Sequence, residues 1–126
     1  MSDAADQTIA AYAAAWNERD ENARRALLER SWTDDGVYRD PTARAEGREA
    51  LVGHIGGFHA RMPGNRIELA SGVDEHGGLL RFGWRMVGPD GVAVLDGMDF
   101  GELDDDGRLK RIVGFFGPFP AVGQER

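Results

Sequence analysis

Apolar residues in this chain switch period once. Up to about residue 64 most fall at helical spacing, and beyond it they alternate. Such a chain must lay helices on a sheet, because every apolar stripe needs another to cover it. Ile9, Tyr12, Ala13 and Trp16 stand at i, i+3, i+4 and i+7 and predict a helix over residues 3–17, capped by Ser2 or Asp3. Asp20 caps a second helix, with Ala23, Leu27 and Trp32 among its buried positions. Asp34-Asp35-Gly36 reads as a turn, and Val37–Asp40 as a short strand stopped by Pro41. Gly47 opens a third helix with Leu51, Ile55, Phe58 and Met62 on one stripe, ended by Pro63-Gly64. Gly53, Gly56 and Gly57 each cost that helix about 1 kcal/mol relative to Ala. Close packing or room for a ligand would be a reason to keep them.

The second half reads as strands over 66–73, 79–87, 92–103 and 108–116, separated by turns at 74–78, 88–91 and 104–107. Three helices followed by a curved antiparallel meander make an α+β layer pair, a single domain over 1–126. Along 92–103 one face carries Ala93, Leu95, Gly97, Asp99 and Gly101, and the other Val92, Val94, Asp96, Met98 and Phe100. Both are largely apolar. One lines the interior, and no element remains to cover the other. A homodimer through the outer sheet face is therefore expected.

Composition removes several function classes. Without cysteine there is no disulfide framework, thiolate metal site or cysteine nucleophile. A net charge of −7 argues against nucleic acid, anionic membrane and polyanionic partners. The opening MSDAADQTIAAY has no basic start and no apolar run, and no stretch nears a bilayer's length, so a cytoplasmic protein is expected. Nucleotide-binding glycine motifs, HExxH and GxSxG are missing from the sequence. His54 and His59 stand about 140° apart on the third helix and do not converge on a metal. His54 borders the apolar stripe, as a core-edge residue or facing a cavity. His59 is expected at the surface, and no metal or cofactor is expected.

Two carboxylates and a phenol are the chemical candidates. Asp99 sits within an apolar strand, where an ionised carboxylate is expensive unless paired. That is one route to a catalytic acid. A bulge at Gly97 would instead turn it outward and exchange its facing with Asp96. Asp40 precedes Pro41 and can be a site residue or a turn starter. Tyr12 lies on the buried stripe of the first helix, as a core aromatic or a hydroxyl donor.

The element order, with AYAAAWNERD, GVYRDPTA and GRLKRIVGFFGPFP, resembles the SnoaL-like branch of the NTF2-like superfamily over nearly the whole chain. The resemblance implies a cone-shaped, cystatin-like α+β fold, three N-terminal helices on a curved antiparallel sheet. That superfamily holds isomerases, cyclases, dehydratases, epoxide hydrolases and non-catalytic binders. The nearest mechanistic resemblance is to ketosteroid isomerase, which keeps one carboxylic acid neutral in an apolar site. It implies Asp40 as base, with Tyr12 and a protonated Asp99 as donors to an enolate oxygen. Two departures stand out. The segment from Tyr12 to Asp40 is about one helical turn longer. Ile55, beside His54, also replaces the third-helix tyrosine that bonds the first one in those enzymes.

The leading expectation is proton transfer on a small apolar carbonyl compound of steroid, terpene or polyketide type. Its wall would be Trp16, His54, Phe58, Phe82, Trp84, Met86, Ile112 and Phe116. A SnoaL-like polyketide cyclase needs the same acidic base. Epoxide hydrolysis in this fold calls for an arginine between two carboxylates, and Arg81 and Arg85 alternate away from Phe82 and Trp84, leaving Arg39 or Arg44. A non-catalytic binding or dimerisation module would need only the cup.

Overall fold

The computed structural model describes residues 3–124. Helix α1 (Asp3–Asn17) forms as its spacing predicts, burying Ala5, Ile9, Tyr12 and Ala15. Of its two expected caps, Ser2 lies outside the described residues. Asp20 caps α2 (Glu21–Ser31), its carboxylate accepting from the Ala23 N–H at 2.8 Å. The buried face of α2 is Arg24, Leu28 and Ser31, while Ala23 and Leu27 are only half-buried. Periodicity had the stripe one residue early, because it did not credit a buried arginine. Arg24 is satisfied by the carbonyls of Glu18, Arg19 and Val52.

Trp32 leaves α2 and starts β1 (Trp32–Asp40) directly. The expected turn at 34–36 is instead a bulge inside that strand, where its register with β7 shifts between Trp32 and Val37. Gly36 permits it, since a Cβ there would come within 2.7 Å of the Trp32 indole nitrogen. Pro41 stops β1 as expected, and an unforeseen β2 (Ala43–Glu46) returns antiparallel beside it. Gly47, at φ 91°, then leads into α3 (Arg48–Arg61). Met62 is not on the buried stripe but at the exposed end of that helix.

The strand expected over 66–73 ends early as β3 (Arg66–Leu69), and β4 (Asp74–His76) occupies part of the expected turn. β5 (Leu79–Val87), β6 (Ala93–Leu103) and β7 (Leu109–Phe116) form the meander. Sheet order is β2-β1-β7-β6-β5-β3, with β4 on β5. The α+β class stands, with one pairing different: β1 runs parallel to β7, so the sheet is mixed. Parallel neighbours need a long crossover, which α3 and the meander provide.

The helices cover the sheet's inner face. Ile9, Leu28, Trp32, Leu51, Ile55, Leu80, Leu109 and Ile112 are fully buried between the layers. Tyr12 stacks on Trp32 at 5.7 Å. The α3 glycines have separate reasons. Gly56 makes room for the Arg24 guanidinium and Gly57 for that of Arg61, while nothing lies within 4 Å of a Cβ at Gly53. No described helix is long and apolar enough to cross a membrane.

Candidate active site

Successive inner-face positions of a strand are two residues apart. On β1 these are Tyr38 and Asp40, on β7 Ile112, Gly114 and Phe116, and on β6 Gly97, Asp99 and Gly101. Asp99 pairs with Phe82 on one side and Gly114 on the other. A Cβ on Gly114 would lie 2.9 Å from Asp99 Oδ1 and 3.5 Å from Asp40 Cβ. Gly114 is therefore the gap across which the two aspartates share one floor. The β6 register does not shift at Gly97, so Asp99 points inward and the exposed Asp96 outward.

Above this floor, between α1, α3 and the meander, opens a cavity of about 190 Å³. Tyr12, Asp40 and Asp99 all line it. So do Trp16, His54, Phe58, Phe82, Trp84, Met86 and Phe116. Ile112 does not. It has the expected facing but lies deeper, fully buried, its side chain filling the space over Gly101. Alternation reports which face a residue takes, not how far down the cone it sits.

Tyr38 is the site residue that sequence reasoning passed over. Its hydroxyl donates to Asp40 Oδ2 at 2.6 Å, and it lines the cavity between Trp16 and His54. The signal was there: residues i and i+2 of one strand share a face. Asp40 Oδ1 accepts from the Thr42 N–H at 2.7 Å and the Thr42 hydroxyl at 2.8 Å. The carboxylate is thus held by three donors, with lone-pair capacity left on Oδ2. Burial first, then the neighbouring Tyr12 and Asp40, push the Tyr38 phenol far up, so it stays protonated and donates.

Asp99 is the more buried carboxylate, 7% exposed. The Trp84 indole N–H donates to its Oδ1 at 2.9 Å and favours the ionised form. Burial outweighs that bond, and with Asp40 nearby the carboxyl is pushed up to about 7. Tyr12 is raised too, by burial and then by the charge of Asp99, while the nearby Trp16 indole N–H works the other way from outside hydrogen-bond geometry. The Tyr12 hydroxyl is buried and has no hydrogen-bond partner among the described residues. Ile55, at the position where the resemblance puts a tyrosine, is fully buried and has no polar side-chain atom.

His54 faces the cavity edge-on to Trp16, and burial lowers it, so it is neutral. His59 is not at the surface. It is half-buried, its Nε2 donating to the Trp16 carbonyl at 2.8 Å, which ties α3 to α1. Arg39 and Arg44 are exposed, and Arg44 pairs with Glu46 at 3.4 Å. Arg81 pairs with Asp74 on the outside. None of these arginines enters the site as epoxide hydrolysis would require. Arg61, Met62, Ile67, Leu69 and Leu95 also line the cavity, most of them toward its mouth.

A family profile described as a SnoaL-like domain matches residues 9–112. No curated protein matches the chain. Among solved structures, a candidate isomerase of the SnoaL-like family from Agrobacterium tumefaciens is similar at 37% identity and TM-score 0.84, over 88% of this chain and 95% of that one. A protein of unknown function with a cystatin-like fold from Methylobium petroleophilum PM1 is similar at 19% identity and TM-score 0.76, over 98% and 82%. A candidate SnoaL-like polyketide cyclase from Jannaschia sp. CCS1 is similar at 15% identity and TM-score 0.69, over 92% and 89%. The last two likenesses concern the fold.

Proposed function

This chain belongs to the SnoaL-like domain family, and from that premise we propose that it is an enzyme moving a proton on a small apolar carbonyl compound. The observation that carries the reading is the unpartnered, buried hydroxyl of Tyr12 beside Asp99 in an apolar cavity. An unsatisfied buried donor costs about 1–3 kcal/mol, and a ligand oxygen would satisfy it. The 37%-identical candidate isomerase supports the same direction.

In this mechanism the Asp40 carboxylate takes a proton from the carbon next to the carbonyl. The electron pair of that C–H bond moves into the carbonyl, and the new enolate oxygen accepts from Tyr12 and protonated Asp99. Donors preorganised in a dry site commonly supply the largest catalytic contribution. Asp40 then returns the proton to the far end of the enolate, so the reaction balances without a cofactor. Tyr38 and Thr42 hold the base in place, which matters because small misplacements are costly. Cyclisation by a SnoaL-like enzyme would share the first half, the enolate attacking a second carbonyl. At about 190 Å³ the cavity, open at its mouth, is below the common range for ligand pockets, so one or two rings fill it and a larger body would project from the mouth.

The test follows cyclohex-3-enone and a β,γ-unsaturated ketosteroid by the ultraviolet absorbance of their conjugated products. Wild type is expected to convert the smaller ketone, and Asp40→Asn to be slower by about 10²-fold or more. Equal rates in the variant would remove Asp40 as base. No turnover of either compound by wild type would remove isomerisation and leave a binder or a cyclase.

A further inference from the structure

The apolar cavity carries a single cation, and it has nothing to pair with. Of the residues lining it, Arg61 is the only lysine or arginine. It makes no hydrogen bond or ion pair among the described residues, although acidic groups outnumber basic ones 22 to 15 in this chain. Arg25, Arg44, Arg66, Arg81 and Arg108 pair with carboxylates, whereas among the described residues Arg19, Arg30, Arg39 and Arg85 are as unpaired as Arg61; what sets Arg61 apart is that it lines the cavity. Arg61 ends α3 on the stripe that also presents His54 and Phe58 to the cavity, so it sits at the mouth beside exposed Met62. Its guanidinium is not flung outward. It folds back along the helix into the space above Gly57, where a Cβ would come within 2.9 Å of Nη1. That glycine weakens the helix relative to alanine, and the arginine lying over it occupies the room.

We propose that the natural ligand is an organic acid, an apolar body inside the cavity with a carboxylate at the mouth on Arg61. The inference rests on the proton-transfer reading for its orientation: the reacting oxygen lies at Tyr12 and Asp99, and the acid at the other end stays near water. A guanidinium fork meets a carboxylate through two parallel hydrogen bonds, which fixes direction as well as adding affinity. It also keeps the ligand's charge away from the carboxylates on the floor. Because Arg61 is exposed, the preference is modest and weakens with salt.

The probes are naphthalene-2-acetate and naphthalene-2-acetamide, alike in shape and different in charge, titrated calorimetrically at low ionic strength. Wild type is expected to bind the acid about 3- to 10-fold more tightly than the amide. Arg61→Gln is expected to abolish that preference, and binding of the amide by the variant shows that it is folded. Arg66→Gln, on the exposed β3 ion pair, is expected to keep the preference. Equal binding of acid and amide by wild type, or a preference that survives Arg61→Gln, overturns this inference and leaves the proton-transfer reading standing. If wild type binds neither probe, this inference falls, and turnover of cyclohex-3-enone decides the proton-transfer reading separately.

Discussion

Asp99 sits under two opposed influences, and their balance has a measurable sign. Burial favours its neutral form and the Trp84 indole favours its charged form; burial wins, and the carboxyl titrates at about 7. In the unfolded chain it titrates near 3.9. The folded state therefore binds the extra proton between those values, and stability falls as pH rises from about 4 to about 7. Asp99→Asn removes that penalty. Urea denaturation is expected to show the variant gaining on wild type across this window, by an amount on the order of 4 kcal/mol at pH 8. Any enolate-stabilising activity of wild type should decline above about pH 7, as Asp99 loses its proton, whereas the variant should lack that limb. Identical pH profiles for the two would mean that Asp99 is ionised throughout. At this scale the sequence was readable where one residue type carries the argument. A carboxylate on the strand face of Ala93, Leu95, Gly97 and Gly101 stands out. Tyr38 did not, because its importance lies in a bond to a neighbour's side chain.

Glycines separate the elements by what a side chain would meet. On α3, Gly53 is exposed and a Cβ there meets nothing, so Gly53→Ala is expected to stabilise the protein by about 1 kcal/mol, read as a rise in Tm. On β6, a Cβ at Gly97 would collide with the Trp84 indole and come within 2.6 Å of the Phe115 carbonyl. Gly97→Ala is expected to cost about 3 kcal/mol, since a backbone neighbour cannot yield as a flexible side chain can. A thermal melt showing equal effects for both would contradict this packing. Helix existence was legible from periodicity, and so was the Asp20 cap. The bulge in β1 and the short β2 were not. They depend on Trp32 lying against Gly36 and on Ala43–Glu46 finding a partner in β1, contacts that no local pattern announces.

The whole molecule leaves an apolar outer sheet face. Val94 is 59% exposed and Phe115 53%, with Met98, Phe100 and Val113 half-buried on the same side. Arg111 covers part of it, its guanidinium 5.6 Å over the Phe100 ring. A second copy of the chain remains the proposed cover. Sedimentation is expected to give a dimer for wild type and a monomer for the double variant Val94→Glu, Phe115→Glu, because two buried like charges facing their copies would not be tolerated. A monomeric wild type at high concentration would leave the face without its proposed occupant.

Sequence alone determined the layer architecture, because apolar period dictates which face of each element is buried. It also determined the acidic character of the chain and named Tyr12, Asp40 and Asp99 as candidates, leaving open whether Asp99 or Asp96 faces inward. Tertiary structure alone decided depth, partner and pairing. It put Ile112 below the cavity and Tyr38 on Asp40. It left the Tyr12 hydroxyl without a partner among the described residues, and it set β1 parallel to β7. The reason is physical. A side chain's facing follows from the backbone period of its own element, whereas its depth and its hydrogen-bond partner depend on residues brought together from distant parts of the chain.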